Sequence, residues 1–67
     1  MMEGIVQWFD DEKGIGFIQI EGGEEVFVHH SSIEMSGYRS LIQGDRVSFI
    51  IEKTNRGREA KNVKKVK

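Results

Sequence analysis

The chain contains no cysteine, which excludes a disulfide framework and any cysteine-ligated zinc site. None of its apolar runs approaches the ~18–20 residues that a membrane-spanning helix needs. The opening stretch MMEGIVQWFD has no basic segment followed by an apolar one, so no signal peptide is expected and the expected location is the cytoplasm. No segment of about ten residues or more places its apolar residues at helical spacing, so no long helix is expected. Repeats and linker-like compositions are also missing, and residues 1–67 are expected to form one domain. A chain of 67 residues is short. It buries only about 60% of the surface of its unfolded state, so every strand face counts toward stability.

Excess charge is missing too, since the net is −1, but its distribution is uneven. Residues 1–52 carry three cations, Lys13, Arg39 and Arg46, and a net of −7, whereas residues 53–67 carry a net of +6. Such asymmetry suits either a segment that meets nucleic acid or a solvated, charge-balanced last strand.

What the sequence does contain is strand pattern. Residues 2–9 mix β-branched and aromatic side chains. After the polar turn 10–14, residues 15–20 alternate, with Ile15, Phe17 and Gln19 on one face and Gly16, Ile18 and Ile20 on the other. Glu21-Gly22-Gly23-Glu24 supplies a turn in which glycine can take positive φ. Residues 25–30 alternate again, Val26, Val28 and His30 against Phe27 and His29, which makes a hairpin with the preceding strand. Ser31-Ser32-Ile33-Glu34 predicts one helical turn capped by Ser31. A loop with Tyr38, Leu41 and Ile42 lies between Gly37 and Gly44. A fourth strand is expected over 45–52 and a last one over about 58–66, joined by the turn Thr54-Asn55-Arg56-Gly57. Five short strands in so small a chain predict an all-β fold, a five-stranded antiparallel barrel, because closure removes exposed edges and buries one face of every strand.

The period of two then decides what stays outside. With Gly16, Ile18, Val26 and Val28 inward, Ile15, Phe17, Phe27 and His29 stand together on the outer surface. An exposed apolar cluster of this kind usually marks a binding surface. Trp8 and Phe9 add aromatic area on the first strand, Lys13 stands at the start of the second, and His30 and Tyr38 follow the third. Aromatic rings interleaved with a few cations suit single-stranded nucleic acid, because every base has a π-face. Other chemistry finds little support. The carboxylates Asp10, Asp11, Glu24 and Glu25 have no pocket or nucleophile beside them, so no enzyme is expected. Gly14-Ile15-Gly16 has no following helix, which argues against a phosphate-binding loop. His29 and His30 are adjacent strand residues expected on opposite faces, with no third ligand near, so neither metal nor other cofactor is expected.

These segments resemble the bacterial cold-shock protein family almost from end to end. The resemblance runs through Glu3, Gly4, Val6, Trp8 and Phe9, then KGIGFI (13–18) and VFVHH (26–30), which look like the first and second ribonucleoprotein motifs. It continues through Ser32-Ile33, Gly44, Val47-Ser48-Phe49, Asn55-Arg56-Gly57, Ala60 and Asn62-Val63. It implies an oligonucleotide-binding (OB) barrel that takes single-stranded RNA and DNA across strands one to three. It also implies sequence-tolerant, pyrimidine-preferring binding and an RNA-chaperone role. The family's stacking platform falls on Trp8, Phe17, Phe27, His29 and Tyr38. Its phosphate and polar contacts fall on Lys13 and Arg56, with Phe9 at the edge. Four positions depart from the family pattern. Ile15 and His30 stand where phenylalanine is usual, Gln7 where lysine is common, and Asp10 where asparagine is common. Ile15 packs but does not stack, and His30 is a smaller, more polar ring.

Two other readings stay open at this point. An OB-type barrel can bind structured RNA through the basic segment, or dock a protein on its aromatic face. A monomer is expected, with a strand-swapped dimer as the alternative.

Overall fold

The computed structural model describes residues 2–34 and 41–66. Five strands form a closed barrel in the order β1-β2-β3-β5-β4. They are β1 (Met2–Asp10), β2 (Ile15–Ile20), β3 (Glu25–His29), β4 (Arg46–Thr54) and β5 (Gly57–Lys65). The pairings β1–β2, β2–β3, β1–β4 and β4–β5 are antiparallel. The barrel closes by a short parallel contact between β3 and β5, at Phe27 and Glu59. The expected strands are therefore present. The fourth runs on to Thr54, and the third ends at His29 rather than His30.

The alternation read from the sequence is the alternation of burial. Ile18, Val26, Val28, Val47 and Val63 are completely buried, and Val6 and Phe49 nearly so. Ile33 and Leu41 join the same core from outside the strands. The fully buried side chains are mostly valine and isoleucine, which pack well on a pleated surface.

Two bulges interrupt the period of two. In β1 the register shifts between Val6, opposite Ile18, and Trp8, opposite Phe17, so Gln7 is the extra residue. Val6 is buried, Trp8 is 45% exposed, and Phe9 packs against the core. In β5 the shift lies opposite Ser48–Ile50, where Asn62 has φ 53°. Asparagine is among the few residues enriched in that left-handed region. The bulge turns both Ala60 and Val63 inward, a spacing of three that plain alternation does not give.

The helical turn after β3 is a 3₁₀ turn over His30–Ser32, and its cap differs from the expectation. The Ser31 N–H donates to Nδ1 of His29, which is the capping residue, instead of Ser31 capping the turn. The cap lies two residues earlier than expected, at the last residue of β3. Beyond it, the Glu34 N–H donates to the Val63 carbonyl at 2.7 Å, and Ile33 bridges Val63, tying this segment to β5.

Candidate nucleic-acid interface

The β2–β3 hairpin turns through Gly22 (φ 96°) and Gly23 (φ 90°), and its register pairs Ile15 with His29, Gly16 with Val28, and Phe17 with Phe27. With Val26 and Val28 in the core, the paired Phe17 and Phe27 must both face outward, half-buried. Their ring centroids lie 5.9 Å apart, edge to face at 75°. The β1 bulge brings Trp8 opposite Phe17 on the same outer surface, with centroids 5.5 Å apart. Three aromatic rings therefore form a continuous row across β1, β2 and β3. Asp10, Ile15 and His29 form the parallel row beside it, since Asp10 pairs with Ile15 and Ile15 with His29.

Gly16 lets the strands come this close. A Cβ there would stand 2.4 Å from the Trp8 carbonyl oxygen and 2.7 Å from Cδ1 of Phe9. A glycine inside a strand often marks such a close approach of backbone. Phe9 itself does not join the row. It packs on the core behind it.

The cations are placed by turns. The Asp10 carboxylate accepts from the backbone N–H of Glu12 at 2.9 Å and of Lys13 at 3.2 Å, fixing the turn that holds Lys13 exposed at the end of β2. Arg56 sits in the two-residue turn between Thr54 and Gly57, and its N–H donates to the Thr54 hydroxyl at 3.1 Å. Its guanidinium lies 5.9 Å from the centre of the Phe27 ring, a cation–π distance.

His30 leaves the strand, so the two histidines are not on opposite faces as the period of two predicted. Their rings lie 4.4 Å apart. His30 is tied to the first turn, with its N–H donating to the Gly14 carbonyl at 2.8 Å and its ring lying over Gly14. Among the described residues no group of three or more His, Cys, Asp or Glu is arranged to hold a metal ion. Tyr38 lies outside the described residues.

Nδ1 of His29 receives the Ser31 N–H at 3.2 Å and lies 2.8 Å from the Ser31 hydroxyl. Partial burial first, then the neighbouring His30 and Arg56, lower its pKa below the ordinary histidine value, and Glu59 opposes the shift. The Ser31 N–H makes Nδ1 the acceptor of this pair.

The sequence reading missed a hollow beside this surface. It has a volume of about 360 Å³ and is lined by Phe27, His29, Ser31, Thr54, Asn55, Arg56, Glu59 and Lys61. Glu59 sits on its wall, in register with Phe27. Its carboxylate accepts from the Thr54 hydroxyl at 2.8 Å and lies 3.7 Å from Nζ of Lys61. The Thr54 hydrogen bond, aided by Lys61 and Arg56 against the cost of burial, holds its pKa below the usual carboxylate value. The one sequence signal was the lone acidic residue in the basic segment 53–67.

That segment is also less free than its charge suggests. Arg58 pairs with Glu24, Lys61 with Glu59, Lys64 with Glu34 and Lys65 with Asp45. Much of the +6 thus faces acidic groups of the same chain.

The family model of the 'Cold-shock' DNA-binding domain matches residues 2–66. The chain belongs to this family. It is 54% identical over 66 residues to the cold shock protein CspD of Bacillus subtilis (strain 168), covering 98% of this chain and all of that protein. It is 56% identical over 63 residues to the major cold shock protein CspA of Bacillus anthracis, covering 94% of each chain. Among solved structures, drosophila Unr CSD456 superposes with a TM-score of 0.80 at 19% identity. The match covers 98% of this chain and 26% of that one, and at that identity it shows the fold alone. The cold-shock barrel expected from the resemblance is thereby established for this chain.

Proposed function

We propose that this cold-shock domain binds single-stranded RNA and DNA by stacking successive bases on Trp8, Phe17, Phe27 and His29. The observation that carries this reading is the unbroken row of outward rings, 5.5 and 5.9 Å apart across three strands. A stacked surface is sequence-tolerant, because it reads the face of a base rather than its edge. Held on such a surface, bases are kept from pairing, which is the physical basis of an RNA-chaperone role in the cytoplasm. Lys13 and Arg56 contact phosphates at the two ends of the surface. Ile15 and His30 contribute apolar and polar packing rather than full stacks, and Phe9 supports the row from behind.

Each stacked base contributes ~1–3 kcal/mol, so four platforms give roughly 4–12 kcal/mol before ordering costs. Micromolar affinity corresponds to about 8 kcal/mol, so dissociation constants from micromolar to high nanomolar are expected. Titrating a short oligothymidine while following Trp8 fluorescence tests the reading, with a duplex as control. No quenching at high micromolar concentration rejects it. Salt dependence separates the aromatic face from the basic segment. Two or three phosphate contacts, at ~0.7 ion released per contact on a single strand, give a slope of log K on log salt of about −1.5 to −2. A slope steeper than about −5 with effective duplex competition would mean that structured RNA is held by residues 53–67 instead.

A further inference from the structure

We propose that Glu59 reads the edge of one stacked base and favours a base with an exocyclic amine, which among pyrimidines means cytosine over uracil or thymine. The inference rests on the stacking reading above and deepens it. A stacking row alone is indifferent to base identity, because it touches only the faces of the rings. The hollow next to the row is different in kind. It opens beside Phe27 and His29, and its wall holds Glu59, Thr54, Arg56 and Lys61. Phe27 and Glu59 are register partners on adjacent strands, so the carboxylate stands alongside the ring on which a base would lie. A base stacked there has one edge directed into the hollow.

The chemistry of that wall is an acceptor. The Thr54 hydroxyl occupies Oε2 at 2.8 Å, which fixes the orientation of the carboxylate. Oε1 lies 3.7 Å from Lys61 Nζ, an ion-pair distance too long for a hydrogen bond, so it keeps acceptor capacity toward the hollow. Glu59 is held ionised by the Thr54 hydrogen bond and the neighbouring cations, so it has no proton to donate. Cytosine offers N4–H₂ to such an acceptor, whereas uracil and thymine offer the O4 oxygen, which the carboxylate repels. Arg56 and Lys61 flank the carboxylate and offset its repulsion of the phosphate backbone.

The test uses a short oligothymidine in which one position at a time is replaced by deoxycytidine or by deoxyuridine. These two differ at C4 without the complication of the thymine methyl group. Binding is read by the anisotropy of a labelled strand. At one interior position, deoxycytidine is expected to bind about fivefold tighter than deoxyuridine, the discrimination of one partly solvated charge-assisted hydrogen bond. In Glu59→Gln the ratio at that position is expected to fall to about one, because a glutamine amide serves either edge. Removing the charge also relieves repulsion of the phosphate backbone, an effect shared by every strand, so the ratio, and not the affinity, reports edge reading. A ligand-side variant avoids any change in the protein. With N4,N4-dimethylcytosine at the same position, the wild-type advantage should disappear. Equal binding of deoxycytidine and deoxyuridine at every position, or a preference that survives in Glu59→Gln or with the dimethylated base, overturns the role of Glu59 while leaving stacking intact. Failure of all the strands to bind overturns the stacking reading and this one with it.

Discussion

Replacing Phe17 by Ala removes the middle ring of the row and leaves the barrel wall behind it in place. Phe17 touches Trp8 on one side at 5.5 Å between centroids and Phe27 on the other at 5.9 Å. Its side chain is half-buried, and its chain neighbour Ile18 is completely buried. The substitution therefore loses one base stack, ~1–3 kcal/mol. It also loses two ring–ring contacts of ~0.5–1.5 kcal/mol each, which hold Trp8 and Phe27 in position. The first loss falls on binding, and the second falls mostly on stability. Binding should weaken by roughly 1.5–3 kcal/mol, a 10- to 150-fold rise in Kd, while stability falls by about 1–2 kcal/mol.

The control is Ile18→Val, which deletes one methylene group from the inner face of the same strand. It should cost about 0.5–1.5 kcal/mol of stability and change Kd by less than twofold. Because Phe17 lies against Trp8, its loss alters Trp8 emission directly. Affinity is therefore better measured by calorimetry or by the anisotropy of a labelled oligothymidine, and stability by urea unfolding followed by circular dichroism. The reasoning is refuted if Phe17→Ala raises Kd by less than about threefold under conditions where it is folded. It is equally refuted if Ile18→Val weakens binding as much as Phe17→Ala does, since the two faces of β2 would then not be separate.

Gly14→Ala should destabilise the fold by about 1–2 kcal/mol for the left-handed backbone alone, since Gly14 has φ 69°. It should also push His30 aside, because the new Cβ would stand 2.2 Å from Cδ2 of that ring. Thermal melts in a His30→Ala background should show a smaller cost, and equal costs in both backgrounds would refute the ring contact. Stability should also fall on acidification. His29 has a pKa lowered in the fold, so the unfolded chain binds the proton more tightly, and stability is lost as pH drops through about 6.5 and below. Glu59, also lowered, adds a second loss as pH falls through about 4.5 and below. Protonation turns Nδ1 of His29 into a donor and ends its cap on the Ser31 N–H. The midpoint of thermal unfolding should therefore decline from pH 7.5 to 5, and His29→Gln should flatten the upper part of that decline.

How much of this was legible in the sequence depends on whether local pattern or long-range geometry decided it. In β2 and β3 the alternation was enough. Ile18, Val26 and Val28 had to go inward, and Phe17, Phe27 and His29 followed to the outside. The pairing of β5 with β3 was not legible. It joins residues far apart in sequence through a single parallel contact, Phe27 with Glu59. That contact is what turns an unremarked glutamate into part of the site. His29 as a cap was hidden for a related reason, since the capping pattern Ser31…Glu34 looked complete on its own and nothing local signalled that β3 would stop one residue early.

The bulges are the more instructive case, because they left a trace. Strict alternation from Val6 points Trp8 into the core and Phe9 out. A barrel this small cannot seat an indole beside Ile18 and Phe49. An extra residue at Gln7 resolves the conflict by rotating the remainder of β1, so that Trp8 meets Phe17 and Phe9 covers the core. The same signature recurs in β5, where Ala60 and Val63 are both buried and Asn62 absorbs the positive φ. In both strands the inward residues are spaced by three across the bulge, Val6 to Phe9 and Ala60 to Val63. Such a spacing of three inside a strand otherwise spaced by two marks an inserted residue, and any side chain just beyond it must be reassigned to the opposite face. Applied to β1, this rule alone carries Trp8 from the core to the binding surface. The aromatic row thus depends on a backbone irregularity as much as on the aromatic residues themselves. Deleting Gln7 should rotate Trp8 back toward the barrel interior, which the core has no room to accept.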